Sequence, residues 1–88
     1  MQRTGERLIL TDGTIIENGQ AGYSSGRLWL WVTDMTMIQA ATIFMDTEKT
    51  GYIEYQYGEM SDTYEGYTSC RNIFIDDDGK ISICLVRG

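Results

Sequence analysis

The chain reads as an α+β protein: a mostly antiparallel sheet of about five or six strands, with a single helix over about residues 37–47 packed on one face. Three observations predict this. Short segments of alternating or β-branched apolar residues recur along the chain. The breaks between them are short and centred on glycine. Only one stretch carries a helical start signal followed by helical spacing. Short breaks favour antiparallel neighbours, because a parallel crossover needs about a dozen residues or more.

Leu8-Ile9-Leu10 and Thr14-Ile15-Ile16 flank Thr11-Asp12-Gly13, and Asp-Gly supplies the positive φ that a tight hairpin turn requires. Asn18 to Gly26, rich in Gly and Ser, is expected to be a loop. In Arg27-Leu28-Trp29-Leu30-Trp31-Val32 the aliphatic residues share one face and both Trp share the other. That pattern predicts a strand covered on both sides, or one whose indole face meets a partner.

Thr36-Met37-Ile38-Gln39 fits a capping box, with Thr36 as N-cap. Ile38, Ala41 and Met45 are then expected to share a buried face with Met37 and Phe44, and Thr47-Glu48-Lys49-Thr50 to close the helix before Gly51. From Tyr52 the pattern returns to strand, with Ile53, Tyr55 and Tyr57 alternating with Tyr52, Glu54 and Gln56. Gly58 to Asp62 reads as a turn. Thr63 to Ile75 reads as one long strand with a bulge or bend at Gly66. Asp76 to Lys80 turns again, and Ile81 to Val86 closes the sheet.

Eighty-eight residues make one domain, 1–88, with one core. The net charge of −6, with only seven Lys and Arg scattered from Arg3 to Arg87, argues against direct contact with nucleic-acid phosphates or an anionic membrane. It permits a basic protein surface as partner, and a homo-oligomer. Met1 to Glu6 is polar, and no apolar run approaches the roughly 20 residues of a membrane span, so a cytoplasmic setting is expected.

The chain has no His, which removes the commonest general base and most zinc sites. A non-enzymatic protein without cofactor or metal is therefore expected. Asp76, Asp78 and Gly79 partly match a calcium loop, but Phe74 falls on the first ligand position, and a hairpin turn is the better reading. With Asp77-Asp78-Gly79 as the loop, Ile75 faces Ile81, Ile73 faces Ile83, Cys84 faces Asn72 and Cys70 faces Val86. The two thiols then share a face, diagonally placed and unbridged. Gly22-Tyr23-Ser24-Ser25-Gly26-Arg27 could cradle a phosphate, although a plain connection is the stronger reading. Arg27, Trp29 and Trp31 form a possible small-ligand set in which a nucleotide-like molecule stacks on indole.

The densest signal lies between Tyr52 and Tyr67, which hold five of the six tyrosines. No Lys or Arg occurs from Thr50 to Cys70. Tyr offers large, stiff contact area at low entropy cost and gathers on recognition surfaces. The expected partner-binding set is Glu54, Tyr55, Tyr57, Glu59, Asp62, Tyr64, Glu65 and Tyr67, with rings and carboxylates standing outward together and the acids imitating phosphates.

The segments Tyr57-Gly-Glu-Met-Ser-Asp-Thr-Tyr-Glu-Gly-Tyr-Thr68 and Asp76-Asp-Asp-Gly-Lys-Ile-Ser-Ile-Cys-Leu-Val-Arg-Gly88 resemble small proteins of unassigned function carried by prophages and mobile elements of gut bacteria. The resemblance covers about a third of the chain and transfers no functional residue. It implies either a virion or tail accessory or a counter-defence factor, including the anti-CRISPR proteins that act by stoichiometric binding. The functional expectation is thus a phage-derived inhibitor of a host protein. The alternatives are a self-assembling virion component and a nucleotide-binding sponge.

Overall fold

The computed structural model describes residues 5–88. It contains eight strands and two short helices: β1 Glu6–Ile9, β2 Ile15–Glu17, β3 Gln20–Ser24, β4 Arg27–Val32, α1 Met37–Phe44, α2 Thr47–Thr50, β5 Tyr52–Tyr57, β6 Met60–Glu65, β7 Ser69–Ile75 and β8 Ile81–Val86. The strands form two four-stranded sheets, ordered β2-β1-β5-β6 and β3-β4-β8-β7, in which every pairing is antiparallel. The α+β class and antiparallel pairing follow the sequence expectation. The strand number and the division into two sheets do not.

The core fills the space between the sheets. Leu8, Ile16 and Ile53 of the first sheet meet Leu28, Leu30, Val32, Ile81, Ile83 and Leu85 of the second, joined by Ala40 and Phe44 of α1. Each aliphatic chain taken fully out of water stabilises the fold by roughly 1.5–3 kcal/mol. The alternation of Arg27–Val32 accounts for the placement of Leu28, Leu30 and Val32, all 0 % exposed, while the indoles turn to the opposite face.

Three local features produced the extra strands. The expected loop at Asn18–Gly26 is a hairpin: β3 pairs with β4, and Ser25 and Gly26 both take positive φ (52° and 79°), as a two-residue turn between twisted strands demands. The expected turn at Gly58–Asp62 is tighter, so Met60, Ser61 and Asp62 already pair with β5. Gly66, at φ 83°, ends β6 rather than bending a continuous strand, and the chain crosses to the other sheet through Tyr67 and Thr68.

The helix also departs from expectation. The capping box is present, with the Gln39 N–H donating to the Thr36 Oγ (3.1 Å) and the Thr36 N–H donating to the Gln39 Oε1 (2.9 Å). α1 ends at Phe44 because Asp46 adopts extended backbone and its carboxylate accepts the Glu48 N–H, which opens α2. The buried face is Ala40 and Phe44, with Ile43 partly buried. Ile38 is 80 % and Met45 63 % exposed, contrary to the expected face. α1 is apolar on nearly every side, so spacing alone did not fix its rotation; its contacts with β7 and β8 did.

The long hairpin keeps its expected register at Ile75–Ile81, Ile73–Ile83 and Asn72–Cys84. A bulge at Arg71 then shifts the pairing, so Cys70 faces Leu85 rather than Val86. Cys70 therefore turns toward the core and Cys84 away from it. The shared face expected for the thiols is corrected, and both are free.

Candidate functional site

Alternation along β5 decides where the expected contact residues go. Ile53, Tyr55 and Tyr57 point one way, and Tyr52, Glu54 and Gln56 point the other. Cross-strand partners share a face, so Asp62 and Tyr64 lie on the ring side, opposite Tyr55 and Ile53. Glu65 and Thr63 lie on the Glu54 side. The ring side faces the second sheet, because Ile53 is fully buried in the shared core.

The single outward zone of rings and carboxylates is thus corrected. Tyr67 is 6 % exposed, and Tyr55, Tyr57 and Tyr64 are half-buried. Tyr55 and Tyr57 stack at 4.7 Å, while Tyr67 takes Tyr64 and Tyr23 edge-on at 6.3 and 6.0 Å and the Arg87 guanidinium over its face at 5.3 Å. Five tyrosines consequently wall one part of the inter-sheet space. Their role is to hold the β5–β6 hairpin in place: phenols are large enough to fill the gap between sheets and long enough to bring their hydroxyls to acceptors at its margin.

Those acceptors are Glu6 and Asp62. The Tyr55 hydroxyl donates to the Glu6 Oε1 (2.8 Å), the Gln20 Nε2 donates to the Glu6 Oε2 (2.7 Å), and the Tyr57 hydroxyl donates to the Asp62 Oδ2 (3.0 Å). Burial, reinforced by the Glu6 carboxylate, pushes the Tyr55 hydroxyl up to about 12. The hydrogen bond to Asp62 raises Tyr57, burial raises Tyr64, and the hydrogen bond with Tyr67 raises Tyr23. All four phenols stay neutral, and Tyr55 and Tyr57 donate, which suits structure rather than proton transfer. Glu6 and Tyr23 belong to this cluster although no local sequence pattern marks them, since both arrive from other strands.

The acids divide differently. Glu54 and Glu65 occupy the solvent side of the first sheet, and Glu59 tops the hairpin beside Gly58. Glu17 shares that side through the β2–β1–β5 pairing. Arg7, also there, donates to the Gln56 Oε1 (2.7 Å) and lies 4.0 Å from Glu17. A depression of about 260 Å³ sits between Glu54, Gln56, Gly58, Glu59, Met60 and Ser61. β6 is an edge strand with five of its six residues exposed.

The small-ligand residues fare better as a group. Arg27, Trp29 and Trp31 alternate onto the solvent side of the second sheet, and Phe74 joins them through Ser82. The Asp76 Oδ1 accepts the backbone N–H groups of Asp78 and Lys80, so the partial calcium pattern works as a turn brace. Among the described residues no three His, Cys, Asp or Glu gather as a metal-ligand set, and no helix is long and apolar enough to cross a membrane.

No protein-family model matches the chain, and neither a curated protein nor a solved structure does.

Proposed function

We propose that the chain is a non-enzymatic binding module whose β5–β6 hairpin engages a basic protein surface, and that it acts as a stoichiometric inhibitor of a host protein. One observation carries this reading. Glu54, Glu59 and Glu65 lie on the solvent side and at the tip of a hairpin with no Lys or Arg of its own, next to a free edge strand. Tyrosines packed behind the hairpin make it a rigid, pre-ordered anionic surface, and rigidity lowers the entropy lost on binding. The depression beside Glu54 and Glu59 offers a seat for a Lys or Arg side chain.

The direct test is affinity capture from a host lysate with the wild-type chain and with the triple variant Glu54→Gln, Glu59→Gln, Glu65→Gln. The expected result is a basic protein held at low salt, released at high salt and absent from the variant's catch. Equal capture by both chains at high salt would overturn the reading.

A second reading, a self-assembling virion accessory, is favoured by a different observation. Ile38 and Met45 of α1 stand 80 % and 63 % exposed, and α1 packs beside the edge strand β7. Light scattering of the purified chain distinguishes the two, since an oligomer insensitive to salt supports assembly through this apolar side.

A further inference from the structure

The solvent side of the second sheet carries three aromatic rings, Trp29, Trp31 and Phe74, set among polar side chains. Strand pairing places its outward residues in rows. Gly22, Trp29, Cys84 and Asn72 form one row across β3, β4, β8 and β7, and Gln20, Trp31, Ser82 and Phe74 form the next. Small residues flank Trp29 on both sides, and Ser82 separates Trp31 from Phe74. The rings lie over Gly22, Ser82 and Cys84, and the last two are 5 % and 3 % exposed although they point away from the core. A Cβ on Gly22 would meet the Trp31 ring at 3.0 Å, so the indole reaches across to β3. Trp29 meets Phe74 edge-to-face at 6.3 Å across β8. Neither Trp belongs to the buried core cluster, and Phe74 is 41 % exposed.

The polar groups around these rings are specific. Arg27 precedes Trp29 by two residues on the same face of β4, which sets their Cα atoms about 7 Å apart. Among the described residues no ion pair involves Arg27. Asn72 ends the Trp29 row with an exposed side chain. The strands of this sheet contain Arg27 and Arg71 and no Asp or Glu, whereas those of the other sheet contain five acids and one Arg. In a chain of net charge −6, the strands under the aromatic face are thus the ones that carry Arg without Asp or Glu.

We propose that this face binds a mononucleotide, with the base stacked on Trp29 beside Phe74, the base edge hydrogen-bonded to Asn72, and the phosphate paired with Arg27. The choice of ligand follows from the chemistry. A flat π-surface favours a planar ring, a fork of N–H donors favours a phosphate, and Asn can both donate to and accept from a base edge. A longer single strand would bring further phosphates toward the acidic remainder of the surface, which disfavours it. This site is separate from the β5–β6 hairpin, and either can fail without the other.

Titration of the intrinsic Trp fluorescence with adenosine or guanosine 5′-monophosphate at low salt tests the proposal. The expected result is saturable quenching by at least one of them. Trp29→Ala and Arg27→Gln should each weaken binding about tenfold or more, and the Glu54→Gln, Glu59→Gln, Glu65→Gln variant should bind as the wild type does. Arg27→Gln touches no core residue and keeps the test informative should Trp29→Ala fail to fold. Free nucleoside and ribose 5-phosphate should each bind more weakly than the nucleotide. No saturable quenching at millimolar nucleotide would overturn the proposal. So would unchanged affinity in Arg27→Gln, tighter binding of an oligothymidylate, or binding of a neutral oligosaccharide in place of the nucleotide.

Discussion

Tyr55 shows how one side chain links the fold to pH. Its hydroxyl is held between burial and the Glu6 carboxylate, which favours the neutral phenol in the folded state. The folded value lies above the unfolded one, so the stabilisation is fully present below about pH 10 and is lost as pH rises toward about 12. Denaturant titrations across that range should show stability falling, and Tyr55→Phe should flatten the fall. An unchanged slope in the variant would mean that other phenols carry the effect. Gly22 offers a second test at this scale. A side chain there would press on the Trp31 indole, so Gly22→Val should shift the Trp emission and cost about 1–3 kcal/mol.

At the scale of elements, α1 depends on its first turn and on the loop that follows it. Thr36→Ala removes the side-chain half of the capping box and should cost about 1 kcal/mol in chemical denaturation. Thr36→Ser should restore most of that loss. α2 is tied to the β1–β2 turn by Lys49, whose Nζ lies 2.6 Å from the Asp12 Oδ2. Lys49 and the Thr14 N–H hold Asp12 well below the usual carboxylate range, and the pair raises Lys49. A depressed carboxylate contributes stability above its unfolded value near pH 4 that is lost as pH falls through the folded one. Asp12→Asn should therefore reduce the acid sensitivity of unfolding, and added salt should do the same because the pair is exposed.

At the scale of the whole molecule, two sheets share one core, so neither has a buried face without the other. Phe44→Ala, which opens a hole in the shared core under α1, should cost about 3–5 kcal/mol. Unfolding should remain a single transition by Trp fluorescence and by circular dichroism alike. Separate transitions for the two probes would show that the sheets unfold independently. Charge is divided at the same scale, acids on the strands of the first sheet and basic residues alone on those of the second. On the two readings proposed above, the hairpin surface and the aromatic face would meet partners of opposite charge.

The sequence by itself determined the strands whose pattern is complete within a few residues. Asp12-Gly13 set the first hairpin, Leu28-Leu30-Val32 set a buried stripe, Thr36 and Gln39 set a helix start, and Ile73-Ile75 against Ile81-Ile83 set a register. Each rests on local backbone preference or on a period that one strand carries alone. Gly66 was visible as an interruption, yet whether the chain bends or leaves the sheet there depends on what lies beyond it. Only the tertiary structure decided which side of β5 faces the core, and with it the separation of Tyr55, Tyr57 and Tyr64 from Glu54 and Glu65. An alternating strand has two equivalent readings until a second sheet covers one of its faces, and that sheet comes from residues far away in the chain. Composition showed a dense patch of phenols and carboxylates; packing turned the phenols inward to support the hairpin and left Glu54, Glu59 and Glu65 at its surface.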